Sequence, residues 1–221
     1  MYDVVFNSGF IGLLIWVLLF ATSTAAAALV IRCVWILRRK RFGTAVELMP
    51  LLKAGDWDGA YAHSQAHPSV TTRIAGAILQ IAHGKTKAER QELAVAMLDK
   101  EVRAVLRQIN TLSLCGNIAP MLGLLGTVTG MVDAFMGLGA AMGPEKASIL
   151  AISISQALYT TAAGLLIAVP AITFSVVFRN LLEQRTETVT ESLEQILEVI
   201  PEPEPPHPVY RSTDTVKILP G

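Results

Sequence analysis

The sequence predicts an all-α membrane protein: three transmembrane helices with long cytoplasmic helical extensions. Three observations carry that class. Apolar residues make up 52% of the 221-residue chain and charged residues only 16%, a balance skewed toward the bilayer. Three segments, 9–37, 111–142 and 147–178, each exceed the roughly 20 residues that a spanning helix needs. Outside them, apolar side chains recur at helical spacing rather than in alternation.

Residues 1–8 carry no Lys or Arg and form a short amino-terminal piece. The first span, 9–37, is interrupted only by Arg32. It does not have the form of a cleavable signal peptide, because its apolar stretch is too long and its basic residues follow it. Those residues, Arg38, Arg39, Lys40 and Arg41, place this end in the cytoplasm and the amino terminus outside.

Residues 38–110 are expected to be a cytoplasmic helical region. Gly55-Asp56-Trp57 reads as a turn whose aspartate caps a helix containing Ala60 and Tyr61. Pro68 and Gly84 mark breaks. Thr86 and Glu89 have capping-box spacing. Beyond them Leu93, Met97, Val102, Val105, Ile109 and Leu112 recur at helical intervals with no breaker before the second span. One long rod is therefore expected to rise from the cytoplasm into the membrane.

The second span, 111–142, holds one charge, Asp133, placed late enough to sit at the outer interface. An outer loop at 143–146 makes a hairpin with the uncharged third span, 147–178. Arg179 and Arg185 follow on the inner side. Leu181, Val189, Leu193 and Leu197 continue the helix over 179–200 as a cytoplasmic extension, and the Pro-rich 201–221 is expected to be an extended, disordered tail.

Several functions are disfavoured. Eighteen basic and eighteen acidic residues cancel, which argues against a nucleic-acid partner. Cys33 and Cys115 lie in or beside apolar segments, so neither a disulfide framework nor a zinc site is expected. His63 and His67 have i, i+4 spacing but no carboxylate or thiol cluster nearby, so no metal is assigned. With no phosphate-binding glycine loop and no Ser, His and Asp set, no enzyme activity and no cofactor are expected.

Chemistry concentrates in the hairpin. Gly116, Gly123, Gly130 and Gly137 recur every seven residues, with Gly126 near the same face. Ala157, Thr161, Gly164 and Ala168 repeat the pattern in the third span. Small-residue stripes let helices approach closely, so the hairpin packs on itself or on copies of itself. Pro120 and Pro170 are expected to bend their helices. The candidate lining of an ion path is Thr127, Gln156, Thr160 and Thr161. A threonine hydroxyl can bond to its own helix, but the Gln156 amide needs a partner or water.

The segment Ala119-Pro120-Met121-Leu122-Gly123-Leu124-Leu125-Gly126-Thr127-Val128-Thr129-Gly130-Met131 and the segment from Gln156 through Thr160, Thr161 and Gly164 to Pro170 resemble the second- and third-span motifs of the MotA/TolQ/ExbB family, closest to the ExbB and TolQ branch. The resemblance covers about residues 9 to 200. It implies a channel-forming subunit of a bacterial inner-membrane motor that couples proton flow to work on the cell envelope, such as energised transport. It implies a homopentamer around a single-span partner like ExbD or TolR, which carries a membrane aspartate, and an envelope client of TonB or TolA type. The family's pore threonines correspond to Thr127 and Thr161, and Gln156 stands where well-studied members carry glutamate. Thr127 and Thr161 with water could also coordinate sodium. The competing reading is a non-conducting membrane scaffold in which the stripes only mediate assembly.

Overall fold

The computed structural model describes residues 9–37, 42, 48–81, 84–140 and 145–201. The expected outer amino terminus, the basic cluster 38–41, residues 143 and 144 of the outer loop and the tail beyond Pro201 lie outside the described residues. Among the described residues there are six helices and no strand: α1 (Gly9–Ile36), α2 (Leu48–Lys53), α3 (Trp57–Ala66), α4 (Val70–Ile81), α5 (Lys87–Ala140) and α6 (Glu145–Val199). Helix α1 and both long helices are long and apolar enough to cross a membrane. Helix α6 starts at Glu145, so Glu145 and Lys146, expected in the outer loop, are helical.

Each helix start has a local cause. Gly55 has a φ of 75°, a conformation that glycine enters without strain. Asp56 then caps α3, its carboxylate accepting a hydrogen bond from the Gly59 N–H at 2.9 Å. Ser69 and Thr72 exchange hydrogen bonds at the start of α4, with the Thr72 N–H donating to the Ser69 hydroxyl at 3.1 Å. At α5 the Thr86 N–H donates to the Glu89 carboxylate at 2.9 Å, and the Glu89 N–H donates back to the Thr86 hydroxyl at 3.4 Å. These bonds to Thr86 hold the Glu89 carboxyl below the usual carboxylate range, with Lys85 adding a smaller pull. A lowered folded-state value means the bonds stabilise the helix start above the unfolded value and are lost as pH falls through the folded one. Intrinsic-rate-corrected amide protection at residues 86–90 is therefore expected to fall on acidification, and Glu89→Gln to flatten that dependence.

Two packing regimes meet along α5 and α6. Below the membrane the core is made of large side chains. Leu48, Leu52, Ile74 and Ile78 from α2 and α4 close over Leu98, Val105 and Ile109 of α5 and Leu182, Leu193 and Ile196 of α6. Water drives that burial. An ion pair between Arg73 and Glu101 ties α4 to α5 at the surface. Between Ala119 and Ala171, along the α5–α6 seam, the buried apolar residues are small, Ala119, Ala134, Ala157, Ala168 and Ala171, while Met136 and Leu166 point outward; α1 buries the larger Ile15 and Leu19 and exposes Phe20. Lipid offers no hydrophobic drive between helices, so close van der Waals packing of small residues takes over.

Helix α1 packs against both α5 and α6, and α5 against α6 along their common length. Both proline positions, Pro120 and Pro170, lie inside continuous helices. Proline has no N–H, so the carbonyls of Gly116 and Leu166 lack their helical donors.

Candidate functional site

The α5–α6 seam is built from the two small-residue stripes. A Cβ placed on Gly123 falls 2.8 Å from the Thr160 carbonyl oxygen and 2.9 Å from the Thr161 Cα. On Gly164 it falls 2.5 Å from the Ala119 carbonyl oxygen, and on Gly130 2.8 Å from the Ala157 Cβ. One on Gly116 meets Ile172 at 2.7 Å, and one on Gly126 runs into the Thr160 hydroxyl. Ala168 is buried, while Gly137 is half-buried. Gly116, Gly123, Gly126, Gly130 and Gly164 thus lie close against the facing helix of the same chain.

Close approach brings polar groups together. The Thr160 hydroxyl lies 2.7 Å from the Ala157 carbonyl in its own helix and 3.1 Å from the Gly123 carbonyl across the seam. The Thr161 hydroxyl donates to the same Gly123 oxygen at 3.0 Å. The buried Thr127 hydroxyl donates to the Leu124 carbonyl at 2.7 Å, within α5. Gly123 is therefore a backbone acceptor for two threonines, and only a residue without a side chain allows both to reach it.

Gln156 behaves differently. It is half-buried and makes no hydrogen bond among the described residues. It precedes Thr161 by five residues, about 140° around the helix, so the two sit on opposite flanks of the seam. Gln156 and Thr160, one turn apart, share a flank. The four candidate lining residues do not form one continuous face in a single chain. Asp133 is exposed on α5. The His63 and His67 rings stack at 4.6 Å, and no group of three or more ligating side chains gathers among the described residues.

Some polar features were not singled out by the sequence. Arg179 donates to the Asn110 side-chain oxygen at 2.9 Å, bridging α6 and α5 at the base of the spans. Gln108 Oε1 and Arg185 Nε are buried with no partner among the described residues. Arg90 is wholly buried. A signal for Arg90 existed: it lies four residues before Ala94 and eight before Leu98, on the stripe that continues to Val105 and Ile109.

Comparison with known proteins adds an independent line. A family model described as the MotA/TolQ/ExbB proton channel family matches residues 66–194. The chain is 30% identical over 208 residues to the biopolymer transport protein ExbB of Neisseria gonorrhoeae, with 86% of this chain and 90% of that one covered. It is 42% identical over 96 residues to the biopolymer transport protein exbB1 of Vibrio cholerae, covering 43% of this chain and 42% of that one. A putative ExbB-like protein of Helicobacter pylori is 36% identical over 96 residues, half of its length. The chain thus matches about half the length, or less, of these last two relatives.

Proposed function

As the chain belongs to the MotA/TolQ/ExbB proton channel family, we propose that it is the channel-forming subunit of an ExbB-like biopolymer-transport motor in the bacterial inner membrane. It works as a homopentamer around a single-span partner of ExbD or TolR type whose membrane aspartate carries the proton, and it delivers work to a TonB-like or TolA-like envelope protein. The observation that carries this reading is the α6 flank at membrane depth. Gln156 presents an amide with no partner among the described residues, in a span where an unsatisfied amide costs about 1–3 kcal/mol. Water or the partner's carboxylate supplies that partner in a conducting assembly.

Glutamine does not exchange a proton near neutral pH. In this subunit Gln156 lines and hydrates the path, and the partner's aspartate does the proton carrying. Thr160 and Thr161 hold the α5–α6 seam beside it through the Gly123 carbonyl. The test is ion flux into proteoliposomes containing the subunit with its partner. Flux no higher than with empty vesicles, from an assembled complex, would leave the scaffold reading in its place.

Topology gives a second test. The amino terminus is placed outside and 38–108 inside. In a background with Cys33→Ala and Cys115→Ala, single cysteines at Ser8 and at the exposed Gln65 report the orientation. On intact spheroplasts an impermeant thiol reagent is expected to label position 8 and not 65. The opposite pattern would invert the protein.

A further inference from the structure

Below the spans, α5 and α6 leave a groove of about 650 Å³ along one side. Val102 and Leu106 of α5 form its apolar floor, and α6 walls it with Glu183, Glu187 and Glu191. All three carboxylates are exposed, and among the described residues none is ion-paired. Glutamates at successive i, i+4 positions repel one another along a helix. The stripe is therefore unfavourable in the isolated chain and gains from cations brought against it.

Three cations form a second stripe on the same molecule. Lys100, Arg103 and Arg107 are exposed on α5, roughly 110° around the helix from the floor of the groove. Among the described residues Lys100 and Arg107 have no ion pair, and Arg103 has only an exposed one, to Asp99 of its own helix at 3.7 Å. Such an exposed pair contributes little. At i, i+3 and i, i+4 spacing these cations also repel one another. The two stripes face different directions, so one chain does not join them. The basic stripe of one copy and the groove of the next can meet head to tail.

Height tests that fit. Copies related by rotation about the membrane normal sit at equal depth, so only residues of one level can meet. Arg179 of α6 meets Asn110 of α5, and Arg90 of α5 meets Pro201 beyond the end of α6. Between these two contacts the helices run antiparallel. That sets Arg107 level with Glu183, Arg103 with Glu187 and Lys100 with Glu191, each to within about 1.5 Å, one residue's rise. Glu194, next along the same wall, falls level with Ala96 and has no cation opposite. We propose that this groove receives the Lys100, Arg103 and Arg107 stripe of a neighbouring copy, making a three-rung ion ladder between chains. The inference rests on the proposed homo-oligomer and names the surface through which its copies meet below the membrane.

The test uses full-length chains carrying Cys33→Ala and Cys115→Ala, with two different affinity tags, co-expressed in membranes. One tagged chain carries Arg103→Cys and the other Glu187→Cys. Oxidation is expected to join the two tags in one disulfide-linked dimer. Pairing Arg103→Cys with Glu194→Cys should give less than about a tenth as much, because that carboxylate lies about two turns lower. Charge reversal reads the energetics. Arg103→Glu alone and Glu187→Lys alone should each weaken association about fivefold per contact, the upper end for an exposed ion pair, and the two together should recover it. Native mass measurement on dilution gives the assembled fraction. An assembled parent whose tags do not join at 103 and 187, or join equally at 103 and 194, overturns the ladder and leaves the oligomer standing. Single reversals that assemble like the parent overturn it too. Glu187→Cys shielded from a thiol reagent only when a single-span partner is co-expressed gives the groove to that partner instead. A monomeric parent removes both the ladder and the proposed assembly. If Arg103→Glu does not accumulate, the cross-linking arm decides alone.

Discussion

Gly123→Leu is expected to open the α5–α6 hairpin and dissolve the native assembly. The atoms that a Cβ would meet there are the Thr160 carbonyl oxygen at 2.8 Å and the Thr161 Cα at 2.9 Å. Both belong to backbone and cannot rotate aside, so the helices must part. Parting also removes the two threonine hydroxyl bonds to the Gly123 carbonyl. Overpacking of this kind costs about 1–3 kcal/mol or more, and each hydrogen bond lost between membrane helices adds about 0.6 kcal/mol. Gly164→Leu should be as severe, since its Cβ would lie 2.5 Å from the Ala119 carbonyl oxygen. Gly130→Leu should be milder, because its nearest neighbour is the Ala157 side chain. Native mass measurement and thermal melting of the purified protein read the order. A complex of the parent's mass and melting point from Gly123→Leu or Gly164→Leu would show that the seam is not as close as described.

Gln156→Leu should lower ion flux by roughly tenfold, about 1.4 kcal/mol on the barrier, in a complex that still assembles. Leucine fills similar volume but takes away the amide, leaving a drier flank along the proposed path. Gln156→Glu should keep partial activity, since a carboxyl also bonds to water at that depth. Thr161→Val removes the hydroxyl that reaches the Gly123 carbonyl with little change of shape, and should act in the same direction, whereas Thr161→Ser should be mild. Flux into proteoliposomes, normalised to assembled complex, separates the outcomes. If Gln156→Leu and Thr161→Val both assemble and conduct like the parent, the channel reading loses to the scaffold.

Much of this fold was legible because membrane helices write their packing in residue size. The seven-residue glycine repeat and the alanine, threonine and glycine positions of the third span mark the faces that meet, since nothing larger fits a seam where a Cβ would touch backbone. The capping box at Thr86 and Glu89 was equally plain, being a local device of side chain and backbone. What escaped were properties that depend on which surface arrives opposite. Arg90 sits on an apolar stripe, and only the docking of the α6 terminus makes it buried. Ser64 looks like a solvent-facing serine, yet it is buried, and a Cβ on Gly76 of α4 would lie 2.6 Å from its hydroxyl oxygen. The threonines and Gln156 were recognisable as a polar group, but equal polarity concealed unequal situations: two are consumed by the seam, one by its own helix, and the amide by nothing among the described residues.

The unbroken length of α5 has a mechanical consequence. From Ala119, just before Pro120, down to Lys87 the helix contains no proline, a distance of about 48 Å at the usual rise. A stiff rod of that length acts as a lever. A tilt of about 5° pivoting at Pro120 displaces its far end by about 4 Å, a large part of one helical pitch. Small angular changes at membrane depth are thereby magnified into ångström-scale displacements at the Lys87 end of the rod.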